Sequence, residues 1–353
     1  MDPAQRCRRR IHARPQAAQW RFRADSRGAA TRRRPALTRA SRSRPNRATR
    51  CALAVLTVLS AGLLLAPASA RSQAPELRAA ASFLIPGLGQ AANGDYVEGG
   101  VHLGLTLVAA RQYNILIAKD DYIAPGDQID DHRNIALNRT TFESELYGTA
   151  LTDLSLYSAY GAYRDARLAM DNRGYATPAP HESLAEAAYA PFQWDYMSRA
   201  TTWVPLLLAL YSAVTPPDSS SYVIVPQGGL TRDEIGTGFA FQYEMVAVAE
   251  EGFFRGMLNN GFSSAFGETW GLVSSSVAFG LAHSGQGTQA SGLQAGVFGL
   301  YLGWLQQRND YDIRQGVAIH FWWDFLLGLA TLQQRKTQIG APPVRLASVT
   351  LRF

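Results

Sequence analysis

The stretch Met245–Leu258, MVAVAEEGFFRGML, places two adjacent carboxylates and an arginine inside a run of otherwise apolar or small residues. An ionised side chain within a membrane-length helix is energetically costly, so it usually faces the interior of a helical bundle and has a partner there. Glu251 and Arg255 are four residues apart, which lets them pair across one helical turn. Glu250 points about 100° away from Glu251 on a helical wheel, which leaves its carboxylate available for chemistry. The alternative is a doubly charged helix end whose side chains reach water.

The basic residues are concentrated at the N-terminus. Residues 1–50 contain 16 Arg and two Asp, a net charge of +14, and the other 303 residues carry 18 basic and 26 acidic residues, a net charge of −8. The basic character therefore belongs to this leader and does not indicate a nucleic-acid partner. The apolar run Cys51–Leu65 is followed by APASA at Ala66–Ala70, which fits a signal-peptidase site, and we expect cleavage after Ala70.

The leader has three interpretations. Its basic part is longer than in an ordinary signal peptide, which favours a wrongly assigned start, whereas its Arg-rich and acid-poor composition also fits an organelle transit peptide. In the third interpretation, Cys51–Ala70 stays in the protein as an anchor. Both cysteines, Cys7 and Cys51, lie in the leader, so the chain after it has no thiol for a disulfide, a Cys nucleophile or a thiolate metal site.

Apolar segments at helical spacing recur after the leader. The mean hydropathy of −0.11 is lowered by the polar leader and loops, so individual windows are more informative than the mean. We therefore predict an all-α fold, a polytopic membrane helical bundle of about six to seven helices after a cleaved leader. The eight candidate segments, from which we count six or seven membrane helices, are Ala79–Gln90 and Gly99–Ala118, which form a hairpin, then Leu146–Met170, Met197–Val214, Gly236–Phe262, Trp270–His283, Ser291–Gln306 and Ile313–Gln333. The predicted parts are a leader and signal peptide (1–70), an N-terminal hairpin, acidic loop and helix (71–195), a core (196–335) and a tail (336–353).

Two histidines of the core also lie in apolar helices. His283 ends its predicted helix, with Phe279 one turn before it on the same face. His320 is followed one turn later by Asp324, so that both polar groups point the same way. Each histidine alone is more often a buried, hydrogen-bonded residue than a functional one. Because the helices of one bundle can bring such groups together, we predict a shared polar pocket with Glu250.

These residues form three ordered motifs. Glu250–Gly256 (EEGFFRG) fits EExxxR, Phe279–His283 (FGLAH) fits FxxxH, and His320–Asp324 (HFWWD) fits HxxxN/D. In that order and spacing they resemble the CAAX protease and bacteriocin-processing (CPBP, or Abi) family of intramembrane peptidases. The segment Gly299–Arg308 (GLYLGWLQQR) also resembles the helix before the last motif of that family. The resemblance covers about Gly236–Leu332, the peptidase-like part of the core.

The resemblance implies a catalytic role for four residues. Glu250 would be the general base that activates a water with help from His283, and His320 and Asp324 would stabilise the oxyanion. Members of the family commonly have Asn at the position of Asp324, and an ionised carboxylate cannot donate a hydrogen bond. Asp324 must therefore be protonated, orient His320 or bind a metal.

The resemblance leaves the need for a metal open, since the family is described both as zinc proteases and as metal-independent glutamate peptidases. Glu251 and Arg255 would form a structural pair. If a metal is used, Glu250, Glu251, His283 and His320 would suit Zn²⁺. The sequence has no HExxH helix, and we expect water activation with no cofactor required.

We expect an intramembrane endopeptidase of the bacterial inner membrane, whose partners are a peptide or protein substrate and the lipid bilayer, with no nucleic acid. The secretory-type leader favours a substrate without a prenyl group. The alternative is a catalytically inactive immunity or scaffold protein of the same fold, although such a protein has little reason to keep these ionisable groups in apolar helices. A membrane di-iron oxygenase would need a Glu-x-x-His spacing, which Glu250 and Glu251 lack.

Overall fold

The computed structural model describes residues 74–217, 221–284 and 292–333. The predicted leader (1–70) with its cleavage site and the predicted tail (336–353) lie outside these residues. The described chain is mostly helical, as its apolar periodicity predicts. Within the three described ranges, no helix combines the length and the apolar composition needed to cross a membrane.

The elements of the first half are α1 (Pro75–Leu84), α2 (Leu88–Asn93), α3 (Tyr96–Ile117), β1 (Asn134–Leu137), α4 (Arg139–Ala169), α5 (Leu184–Tyr189), a 3₁₀ turn (Ala190–Phe192), α6 (Trp194–Met197) and α7 (Ala200–Val214). The elements of the second half are β2 (Val223–Pro226), α8 (Arg232–Glu250), a π-helical segment (Glu251–Asn259), α9 (Asn260–Phe266), α10 (Glu268–Ala282), α11 (Gly292–Arg308) and α12 (Arg314–Thr331).

Capping side chains fix where the long helices begin. A capping box starts α8: the Glu234 N–H donates to Thr231 Oγ1 (3.2 Å), and the Thr231 N–H donates to Glu234 Oε2 (2.9 Å). The sequence predicts this box. Asn138 caps α4 by accepting a hydrogen bond from the Thr141 N–H (2.8 Å). Caps of this kind contribute about 1 kcal/mol each. The cap at Asn138 lets α4 begin at Arg139, seven residues before the predicted Leu146.

Helix α4 is the central element of the first half, and α1, α2, α3, α8 and the π-helical segment all pack against it. Its contacts with α8 advance in the same direction along both helices, which therefore run parallel. Phe142 meets Phe239 (ring centroids 6.3 Å apart), and one step further along, Gln242 Nε2 donates to Thr149 Oγ1 (2.9 Å). Tyr160, fully buried near the other end of α4, covers the π-helical segment.

The strands β1 and β2 form a two-stranded parallel sheet in which Asn134 pairs with Val223 and Leu137 with Pro226. They pack next to the first turns of α4 and α8 in a small apolar cluster that includes Leu137 and Ile224. The sequence predicts loops in both places. Four-residue strands have too short a pattern to be recognised, and each is paired with a segment far away in the sequence.

The helix that carries the two glutamates changes from α to π geometry at Glu251. All nine residues of the π-helical segment are buried, and the helix continues through α9 before Gly267, at φ 88°, ends it. Such π-helical insertions are rare and frequently lie at functional sites. Gly252 and Gly256 face Tyr160, and a Cβ added to them would come within 2.9 Å and 2.3 Å of its ring. The absence of side chains at these two positions lets α4 approach closely.

We predict that Gly256→Ala destabilises the protein by about 1–3 kcal/mol, because the added methyl group overlaps a ring that has no free space to move into. The measurement is thermal or denaturant unfolding of the purified protein. Gly104→Ala is the matched control, since Gly104 lies in the interior of α3 with nothing within 4 Å of the added Cβ. Equal unfolding midpoints for the two variants would contradict the close packing of α4 on this segment.

Candidate active site

Three helices bring the ionisable residues of the core together. Glu250 is the last residue of α8, His283 directly follows α10, and His320 and Asp324 lie one turn apart in α12. Glu250 Oε2 is 3.6 Å from His283 Nε2 and 3.8 Å from His320 Nε2. Asp324 Oδ2 is 3.4 Å from His320 Nε2. The four residues that the sequence predicts as catalytic therefore form one cluster, the candidate pocket.

Exposure differs among the four side chains of the candidate pocket. The side chain of His320 is 3% exposed, whereas those of His283 and Asp324 are 25% and 28% exposed. Glu250 contacts both histidines, and its Oε2 is buried and has no hydrogen-bonding partner among the described residues.

Glu251 contacts both Arg255 and His320. Its Oε1 accepts a hydrogen bond from Arg255 Nη1 (2.9 Å) and lies 2.8 Å from His320 Nδ1. A carboxylate partner requires the proton of the ring to be on Nδ1, which turns Nε2 toward Glu250. The Arg255 guanidinium, itself buried, also lies 4.2 Å from the centroid of the Phe279 ring, a cation–π contact. The pair predicted as structural thus also orients a catalytic histidine.

His283 is oriented in an equivalent way by the backbone. Its Nδ1 is 2.9 Å from the carbonyl oxygen of Phe279, one turn earlier, and its ring packs on the ring of that residue (centroids 4.3 Å apart). Because a carbonyl oxygen only accepts hydrogen bonds, the proton is again on Nδ1. Both histidines therefore present Nε2 to the same oxygen of Glu250.

Asp324 stands where the family usually has Asn. Its distance from His320 Nε2 fits the role of orienting and charge-balancing that ring, one of the three roles that the sequence leaves open. Two aromatic rings also pack on His320: Phe279 and Phe298 meet its ring edge to face, with centroids 6.0 Å and 5.8 Å away.

The arrangement does not fit the four-residue zinc set. Glu251 Oε1 already serves Arg255 and His320, and Glu251 Oε2 is enclosed beside Gly316, where an added Cβ would come within 2.9 Å of it. In the part of the chain that the structure describes, no three His, Cys, Asp or Glu side chains are arranged to hold a metal ion. The reaction that we propose for this chain uses no metal, and metal independence stays a prediction.

One acidic residue near the pocket is missed by the sequence reasoning. Asp153 of α4 is buried (4% exposed), and it lies close enough to Glu250 and His320 for their charges to act on it. The signal that could have found it is its spacing: Thr149, Asp153 and Tyr160 lie on one face of α4, where a lone carboxylate stands out.

Comparison with protein families gives a match to the type II CAAX prenyl endopeptidase Rce1-like model over residues 237–326. This segment is 90 of the 353 residues, contains all three motifs, and confirms the family resemblance seen in the sequence. It supports a CAAX protease-type enzyme, and hence a peptide or protein substrate, and proteins of this family are membrane proteins. No curated protein and no solved structure matches the chain.

We predict that Arg255→Met destabilises the protein by about 3–5 kcal/mol, because it leaves the buried Glu251 carboxylate with His320 as its remaining partner among the described residues. The double variant Glu251→Gln/Arg255→Met should recover much of this loss, since no uncompensated charge remains. Unfolding midpoints of the wild type, both single variants and the double variant form the test. Additive losses in the double variant would show that the two side chains do not interact.

Proposed function

We propose that the chain is an intramembrane endopeptidase in which Glu250, with the two histidines, activates a water molecule without an obligatory metal. One observation carries this proposal: the partnerless Oε2 of Glu250 faces Nε2 of both His283 and His320. The match of residues 237–326 to an endopeptidase family supports the same chemistry.

The proposed reaction begins with a water next to Glu250. Glu250 takes one proton from the water, and the water oxygen attacks the carbonyl carbon of the scissile peptide bond. The carbonyl π electrons move to the oxygen, which becomes the oxyanion of a tetrahedral intermediate. When the C–N bond breaks, the proton held by Glu250 passes to the leaving nitrogen, so the products are a carboxylic acid and an amine. His283 Nε2, 3.6 Å from Glu250, helps to direct the water.

In the proposed mechanism, His320 stabilises the oxyanion. Because its Nδ1–H is directed at Glu251, the ring can donate to an oxyanion only from Nε2, as an imidazolium. Glu251 and Asp324 flank the ring and balance that positive charge. A preorganised donor of this kind is among the larger contributions to catalysis of acyl transfer. In this proposal Asp324 orients His320 and has no direct contact with the oxyanion.

We further propose that the helical bundle lies in a lipid bilayer, with the bacterial inner membrane as the predicted location. Large apolar side chains are more than half exposed on several helices, among them α3, α7, α10 and α11. On these four helices they include Val97, Leu107, Val108, Val204, Leu208, Tyr211, Trp270, Leu281, Leu293 and Val297. An apolar surface of this extent is unusual for a protein surrounded by water and is typical of contact with lipid or protein. The membrane character of the matched family favours lipid.

We predict that Glu250→Gln lowers peptide cleavage by at least about 100-fold, because the amide cannot take the proton of the water. Purified wild type and variant are compared on two quenched peptides ending in C-a-a-X, one farnesylated on the cysteine and one unmodified, and on a proteome-derived peptide mixture read by mass spectrometry. Cleavage of the unmodified peptide would support a substrate without a prenyl group. EDTA should leave wild-type activity unchanged.

Glu234→Gln is the matched control: the same substitution in the first turn of the same helix, at a half-exposed residue whose amide can still complete the capping box. Wild-type activity in Glu250→Gln would show that Glu250 is not the base. Loss of activity with EDTA would contradict the metal-free mechanism. A folded wild type that cleaves none of the probes would support the scaffold alternative instead.

We predict that the full-length protein stays with the membrane fraction after extraction at alkaline pH and is released only by detergent. Extraction from the bilayer would expose the apolar side chains on the surfaces of α3, α7, α10 and α11 to water, which is unfavourable. Immunoblots of the supernatant and pellet make the measurement, with a peripheral membrane protein of the same cells as the control. Release of the chain into the alkaline supernatant would contradict integration into the bilayer.

A further inference from the structure

Asp153 is a buried carboxylate outside the segment that matches the family. It lies in the middle of α4, is 4% exposed, and its Oδ2 has no hydrogen-bonding partner among the described residues. A carboxylate in this condition is costly, because burial removes its hydration and no protein donor replaces the lost water. An apolar residue would pack there at lower cost. The position therefore calls for a role other than stability.

The packing of α4 directs Asp153 toward the candidate active site. Asp153 lies one turn after Thr149, which accepts a hydrogen bond from Gln242, and about two turns before Tyr160, which covers Gly252. These three residues of α4 share one face. Because α4 and α8 run parallel, Asp153 faces the part of α8 between Gln242 and the π-helical segment.

Glu250 lies at the end of that part of α8, and its side chain leans back toward the N-terminus of the helix, as Cα–Cβ bonds do in any α-helix. Asp153 lies close enough to Glu250 and His320 for their charges to act on it. Two carboxylates, each with a buried oxygen that no described residue satisfies, thus lie near each other. Buried polar groups that the protein leaves unpaired are commonly satisfied by ordered water.

We propose that Asp153 is a positioning residue for the attacking water: it accepts a hydrogen bond from one O–H of the water while the other O–H points at Glu250. This inference rests on the proposed function. Two acceptors fix both hydrogens of the water and turn a lone pair of its oxygen toward the substrate carbonyl. Asp153 retains its hydrogen-bonding role throughout, since Glu250 alone takes the proton. Helix α4 then contributes directly to a site whose other members all lie in the second half of the chain.

The test measures kcat and KM separately for Asp153→Leu and Asp153→Asn, on whichever of the two quenched peptides the wild type cleaves faster. Loss of the acceptor in Asp153→Leu should lower kcat by about 100-fold through misplacement of the water. The amide oxygen of Asp153→Asn is a weaker, uncharged acceptor, and kcat should fall by about 10-fold. KM should stay within about two-fold in both, because the water and not the substrate is affected.

Asp165→Asn is the matched control, since Asp165 lies further along α4, pairs with Arg164 (2.7 Å) and is partly exposed. Its kcat should equal that of the wild type. Thermal unfolding should show that neither Asp153 variant is less stable than the wild type, because Asp153 Oδ2 makes no hydrogen bond to a described residue that the variants could lose.

Wild-type kcat in Asp153→Leu, a loss that appears in KM instead of kcat, or an equal loss in Asp165→Asn would overturn the proposal. If Asp153→Leu does not fold, Asp153→Asn decides, since it keeps the shape of the side chain, and an unchanged kcat overturns the proposal. Glu250→Gln, assayed alongside, separates the two hypotheses. Full activity in Glu250→Gln contradicts the proposed function, whereas inactive Glu250→Gln with fully active Asp153→Asn and Asp153→Leu contradicts only the role of Asp153.

Discussion

The candidate active site depends on the buried carboxylate of Glu251. One of its oxygens receives Arg255 and His320 together, so a single group neutralises a buried cation and sets the tautomer of His320. The two functions are not separable, because a shift of the guanidinium would shift the carboxylate and with it the ring. The energetic cost of burying these charges is offset only while all the partners are in place. The orientation of His320 therefore depends on Arg255 through Glu251.

The second requirement is close packing between the two halves of the chain. Glycines at 252 and 256 let Tyr160 of α4 lie directly on the π-helical segment, and Tyr160 in turn donates to Glu182 Oε2 (2.9 Å). Glu182 Oε1 accepts a hydrogen bond from the N–H of Ile313, just before α12 (3.0 Å). A continuous series of buried contacts thus runs from α4 to the helix that carries His320 and Asp324. The first half of the chain, which lies outside the family match, therefore supports the helices that carry the candidate active site.

Local patterns in the sequence predict much of this arrangement. One turn of helix separates Glu251 from Arg255, Phe279 from His283 and His320 from Asp324, so each pair follows from helical spacing alone. The features that the sequence does not reveal all depend on distant partners. They are the change to π geometry at Glu251, the pairing of β1 with β2, the contact of Glu251 with His320 and the approach of Asp153. Each is decided by packing between segments that have no periodic relation to one another.

The ionisable groups of the candidate site bear on the choice between an enzyme and a scaffold. The carboxyl groups of Glu250, Glu251, Asp324 and the neighbouring Asp153 lie near one guanidinium and two imidazoles, and oxygens of Glu250 and Asp153 have no described hydrogen-bonding partner. A protein selected only for its fold would gain stability by replacing such groups with apolar side chains. Sites that act on substrates keep unsatisfied groups at the expense of stability, since these groups are completed only when water and substrate are bound. The oxygens of Glu250 and Asp153 without a described partner agree with the proposed reaction at this site.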